Sequence, residues 1–129
     1  TIWAADQHEG ALSATRTNAT RAAVDSRIET HHYPLAQLPK LSTSDESILV
    51  LTNPPYGERL GADLATLYRQ LGAWVTQQAR PTDLALVAPE EKWVRATGLP
   101  MEHCSPAIDH GGLSVRLYSS RPFAMFAGW

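Results

Sequence analysis

Short apolar runs alternate with segments of helical spacing three times along this chain, and that alternation restricts the fold more than any other feature. Thr1-Ile2-Trp3-Ala4-Ala5 predicts a strand with Asp6 at its C-terminal end. Glu9 to about Val24 follows, rich in alanine, with Leu12, Ala19 and Ala23 at helical positions. Asp25-Ser26 predicts a turn, and Arg27 to Tyr33 a second strand stopped by Pro34. After a loop over Leu35 to Glu46, Ser47-Ile48-Leu49-Val50-Leu51-Thr52 is the best candidate for a buried strand. It cannot run past Asn53-Pro54-Pro55, because proline has no amide hydrogen to give a ladder. Asp63 is placed to cap a helix whose apolar positions, Leu64, Leu67, Tyr68, Leu71, Trp74 and Val75, follow i, i+3, i+4, i+7 spacing. Leu84-Ala85-Leu86-Val87 predicts another buried strand, and Pro89-Glu90-Glu91 and Gly98 bracket a further helix.

The last part of the chain changes pattern. Met101 to Pro106 and Leu113 to Ser119 predict two strands joined through Asp109-His110-Gly111-Gly112. Leu113, Val115 and Leu117 alternate with Ser114, Arg116 and Tyr118, as in a half-buried antiparallel strand. The expected fold class is therefore α/β: a Rossmann-like, mostly parallel sheet with helices on both faces and a C-terminal antiparallel hairpin. Ligands of such sheets bind at the C-terminal ends of the strands. Asp6 and Asn53 both fall at predicted strand ends and are expected to point toward one crevice.

Bulk properties exclude several classes. A chain of 129 residues suits one domain, and 43% hydrophobic with 19% charged residues argues against disorder. No apolar run approaches the ~20 residues of a membrane helix. The N-terminal run reaches Asp6 too soon for a signal peptide, and a cytoplasmic location is the default. Cys104 is the single cysteine, so no internal disulfide is possible. A net charge of −2 argues against gripping nucleic acid by charge alone. It leaves open an RNA-modifying enzyme whose basic surface lies on another domain. No metal is expected: His31 and His32 are adjacent on a strand and point to opposite faces, and His103 with Cys104 lacks further ligands.

Asn53-Pro54-Pro55-Tyr56 carries the chemistry. An exocyclic amine on a nucleobase is a weak nucleophile, because its lone pair is delocalised into the ring. A site that methylates it must accept hydrogen bonds from its two N–H groups and aim the lone pair at the donor. The Asn53 side-chain oxygen and the Pro54 carbonyl are suited to that role. Two prolines hold the acceptors so that they need no reorganisation. Tyr56 offers a face on which an extruded base can stack.

The run continues as Gly57-Glu58-Arg59-Leu60-Gly61, and Leu51 to Gly61 as a whole resembles the catalytic segment of the THUMP-associated guanine-N2 RNA methyltransferases. Ala5-Asp6 followed by Ala14, Asn18-Ala19 and Ala22-Ala23-Val24 resembles that family's second strand and helix, and His110-Gly111-Gly112-Leu113 with Val115 its final turn and strand. The likeness spans about residues 1 to 120. It implies a class I methyltransferase sheet using S-adenosylmethionine, with residues 1–121 a partial catalytic domain and 122–129 an apolar tail. It implies that Asn53, Pro54, Pro55 and Tyr56 are catalytic and that Asp6, Gln7 and Asn53 contact the cofactor. Tyr56, Gly57, Glu58 and Arg59 would contact the substrate, a guanine in ribosomal RNA or tRNA. The family's glycine-rich loop after its first strand has no counterpart here, and Pro34 stands where the family tends to carry an acid near the adenine amine. By that pattern the chain starts at the second strand, with the first strand and an N-terminal part of the same protein missing. Two alternatives stand beside this reading: a DNA adenine- or cytosine-amine methyltransferase, since the loop chemistry serves any such amine, and a non-catalytic remnant that packs with a partner.

Overall fold

The structure, a computed structural model, describes residues 1–41, 47–56 and 61–121. The chain divides into two compact units, Thr1–Pro39 and Lys40–Trp129.

In the first unit β1 (Ile2–Asp6), α1 (Glu9–Arg21) and β2 (Ile28–His32) form a strand–helix–strand unit. β1 and β2 run parallel, with Ile2 opposite Ile28 and Asp6 opposite His32. Leu12 and Ala19 are buried on one side of α1, where alanine's small volume allows a close approach. The helix stops at Arg21, short of Val24, because Ala23 turns left-handed at φ 55°. Val24 N–H then donates to the Ala19 carbonyl and Ala23 N–H to that of Thr20, both at 3.0 Å. This pair of bonds is a Schellman closure made without glycine.

The second unit contains β3 (Ile48–Thr52), α2 (Gly61–Thr76), β4 (Thr82–Ala88), α3 (Glu91–Ala96), β5 (Glu102–His103), β6 (Ile108–His110) and β7 (Leu113–Ser119). The sheet order is β3-β4-β7-β5, with β6 also on β7. β3 and β4 are parallel; β7 runs antiparallel to β4, β5 and β6. β4 is the central strand, with Leu84, Ala85, Leu86 and Ala88 all buried. Burial on successive residues means both of its faces are covered. α2 packs on β4 and α3 through Leu64, Tyr68, Leu71 and Val75, the stripe its spacing predicts. Each of these large side chains contributes about 1.5–3 kcal/mol of apolar burial. α2 and α3 approach closely at Gly72: a Cβ there would lie 1.8 Å from the Thr97 carbonyl oxygen.

Three expectations change. Asp63 lies in the first turn of α2, which begins at Gly61, and so is not its cap. β3 is not buried on both faces: it is an edge strand among the described residues, and Leu49 and Leu51 are 42% and 71% exposed. The hairpin partner of β7 is β6 rather than the Met101–Pro106 segment. Gly111 and Gly112 both have positive φ, which suits a two-residue turn and places His110 directly opposite Leu113. Residues before Ile108 then return along β7, where β5 pairs with its far end, Glu102 opposite Ser119. That end is tied to β4 by Asp83, which accepts from Ser120 Oγ at 3.1 Å and from Arg121 Nε at 2.6 Å.

Candidate catalytic loop and its surroundings

β3 delivers Asn53 to the C-terminal rim of the parallel pair β3–β4. Pro54 is buried, Asn53 and Pro55 are exposed, and Tyr56 is half-buried. The buried proline anchors the loop by packing, which leaves its neighbour free to face solvent. The Asn53 carboxamide makes no hydrogen bond to a described residue, so its oxygen remains available as an acceptor. Gly57, Glu58 and Arg59, expected to touch substrate, lie outside the described residues, as does the 122–129 tail.

A residue not singled out for chemistry in the sequence lies close to this loop. Tyr68 on α2 is 0% exposed, and its hydroxyl finds no hydrogen-bond partner among the described residues. Burial, and secondarily the charge of the Tyr56 phenolate, push its pKa up to about 12. Its ring lies 6.3 Å from that of Trp93 on α3. The sequence marks Tyr68 only as a position of the apolar stripe, and nothing local shows that its hydroxyl would be left unpaired.

Asp6 ends β1 in the first unit and is half-buried. Its Oδ1 accepts the His8 N–H at 2.8 Å, a local turn that leads into α1. Its other oxygen has no described partner. Gln7 is exposed; its Nε2 lies 3.3 Å from His8 Nε2, and its carbonyl 2.9 Å from His32 Nε2. His31 stacks against Trp3, ring centroids 4.3 Å apart, while His32 faces solvent. Among the described residues no group of three or more His, Cys, Asp or Glu gathers as a metal-ligand set. Cys104 is half-buried, Sγ 3.5 Å from the Leu117 carbonyl, and burial pushes its thiol pKa up. No helix of the described residues is long and apolar enough to cross a membrane.

The fold is that of the class I methyltransferases. A possible methylase from Clostridium difficile 630 superposes with a TM-score of 0.72, at 24% identity, over 92% of this chain and 32% of its own. The SAH complex of SMU.472 superposes with a TM-score of 0.73, at 20% identity, over 92% of this chain and 30% of that one. Residues 1–99 match the UPF0020 family, the RMKL-like methyltransferase domain, and the chain belongs to that family. Two relatives are both named ribosomal RNA large subunit methyltransferase K/L. That of Marinomonas sp. (strain MWYL1) is 31% identical over 125 residues, 95% of this chain and 17% of its own length. That of Chromohalobacter salexigens is 33% identical over 118 residues, 90% of this chain and 16% of its own. The chain thus spans about a sixth of the length of these curated relatives.

Proposed function

We propose that this chain supplies the amine-binding loop of an S-adenosylmethionine-dependent methyltransferase that acts on N2 of a guanine in ribosomal RNA or tRNA. The names of the K/L relatives support ribosomal RNA as substrate, and the SAH held by SMU.472 supports the cofactor. The observation that carries the reading is Asn53 on the strand rim, its carboxamide unpaired and its neighbour Pro54 buried. In this reading the Asn53 side-chain oxygen and the Pro54 carbonyl accept the two N–H groups of the amine. Proline on both sides of the Pro54 carbonyl keeps that acceptor in place before the substrate arrives. Tyr56, half-buried, stacks on the extruded base.

The cofactor fits the carboxylate at the end of β1. One Asp6 oxygen takes the His8 N–H and the other is left to accept a ribose hydroxyl, with Gln7 beside it. When bound, S-adenosylmethionine supplies the methyl group as an electrophilic sulfonium. The residues of this chain then orient the amine and exclude water, and the proton leaves after transfer without a dedicated strong base.

The test is methyl transfer to ribosomal RNA by the intact protein, followed by nucleoside analysis. Asn53→Ala is expected to reduce turnover by about 10²-fold or more, the scale of a lost preorganised hydrogen-bonding group. Turnover within a few-fold of wild type would remove Asn53 from the mechanism. N2-methylguanosine is the expected product; methyl found on an adenine amine would overturn the base assignment.

A further inference from the structure

α3, β5 and β7 border an open concavity of ≈ 690 Å³ lined by Glu91, Met101, Glu102, His103, Arg116 and Tyr118. None of these residues belongs to the Asn53 loop. Strand register places the concavity relative to that loop. Thr52, the last residue of β3, stands opposite Leu86, and Arg116 stands opposite Ala88, the last residue of β4. Arg116 therefore sits on the same strand rim as Asn53, two strand spacings across, about 10 Å. That gap is wider than the ~3.4 Å stacking rise of a nucleic-acid strand. A base bound here would be splayed from the one at Asn53, which is how proteins read single-stranded RNA.

The chemistry of the lining narrows the ligand. Glu91 and Glu102 would repel a bare phosphate, and Arg116 would be wasted on an apolar group. The side chains of Glu102 and Arg116 form no ion pair or hydrogen bond with a described residue, while Glu91 spends Oε2 on an exposed pair with Arg95 at 3.2 Å. His103 and Tyr118 add two rings, centroids 6.5 Å apart, and Met101 an adaptable apolar wall. An uncharged planar group with adjacent donors on one edge and acceptors on another uses every part of this set. Guanine is that base: N1–H and N2–H₂ suit a carboxylate, and O6 with N7 suits the arginine fork. Only guanine offers two neighbouring donor groups on one edge and two neighbouring acceptors on another. Cytosine gives a carboxylate N4–H₂ alone, uracil N3–H alone, and adenine has no edge with two adjacent acceptors for the arginine fork.

We propose that this concavity is a guanine-selective subsite for an unpaired nucleotide near the one held at Asn53. The proposal rests on the reading of the chain as an RNA-modifying enzyme for its polymer, but its test reads binding and not methyl transfer, so the two can fail separately. The full chain is titrated with GMP, AMP, CMP and UMP, and with inorganic phosphate, while the His103 and Tyr118 ring resonances are followed by NMR. GMP is expected to shift them at concentrations about tenfold lower than any other nucleotide, the discrimination of one good base contact. Arg116→Lys keeps the charge but loses the fork, and is expected to abolish the preference. Glu91→Gln and Glu102→Gln, made together, are expected to do the same. Equal shifts with all four nucleotides, with phosphate alone, or with none would overturn the proposal. The wild-type titration decides this even if a variant fails to fold.

Discussion

Replacing Gly72 by alanine should break the helix pair that carries α3. The new Cβ would sit 1.8 Å from the Thr97 carbonyl oxygen, 2.6 Å from its carbon and 2.8 Å from its Cα. All three are backbone atoms, so no side-chain rotation relieves the contact. α3 and its C-terminal turn must move by more than about 1 Å in an interior packed at crystal density. That movement draws Val94 and Thr97, 1% and 6% exposed, from their sites. Overpacking of this kind costs about 1–3 kcal/mol and more when backbone must shift. Because backbone must shift, the upper end applies; alanine returns about 1 kcal/mol of helix propensity, so a net loss of about 2 kcal/mol or more is expected, a sizeable part of a typical domain's stability. Urea unfolding followed by circular dichroism measures it. Gly10→Ala is the internal control: Gly10 lies in α1 with nothing within 4 Å of its would-be Cβ, and it should gain about 0.5–1 kcal/mol. If Gly72→Ala proved as stable as wild type, the close approach of α2 to α3 would be wrong.

Tyr68→Phe removes a buried hydroxyl that has no described partner, and should stabilise the fold by about 1 kcal/mol at neutral pH. The raised phenol also couples stability to alkali: its contribution is complete below the ordinary tyrosine value of 10.0 and is lost as pH rises to about 12. Wild type should therefore lose about 3 kcal/mol more than Tyr68→Phe over that window in urea titrations, and parallel pH profiles would contradict the assignment. Asp83→Ala leaves Arg121 without its 2.6 Å partner in a site where the two side chains are 20% and 27% exposed, and should cost about 2 kcal/mol. Additive losses in Asp83→Ala and Arg121→Ala, measured as a double-mutant cycle, would show that the pair does not hold β4 to the end of β7.

Features set by neighbouring residues were legible in the sequence. The end of β3 follows from Pro54 and Pro55, and the buried stripe of α2 from the spacing of Leu64, Tyr68, Leu71 and Val75. Features set by distant pairing were not. The run Ile48 to Thr52 reads the same whether one strand or two lie beside it, so its edge position and the exposure of Leu51 could not be foreseen. The two glycines announced a tight turn, yet which of 101–106 and 108–110 meets β7 directly through that turn depends on where it starts; both pair with β7. At the candidate site, Asn53 directly follows β3, the strand end that the two prolines after it mark. The concavity around Arg116 draws on residues from Glu91 to Tyr118 and leaves no local pattern. Asp6 was legible as a strand-end carboxylate, whereas its bond to His8 needed coordinates.

The open side of β3 has a consequence for handling the chain in solution. Main-chain amides and carbonyls on that side are unclaimed by any described strand, beside two outward leucines. Such a border is a template for another extended segment, and proteins usually blunt it with lysine, proline or a bulge. None of these interrupts Ile48 to Thr52, and a net charge of −2 gives little mutual repulsion. An extended segment, from a second copy or from elsewhere in a longer protein, can add to this border, and a strand-mimicking peptide competes for the same main-chain groups.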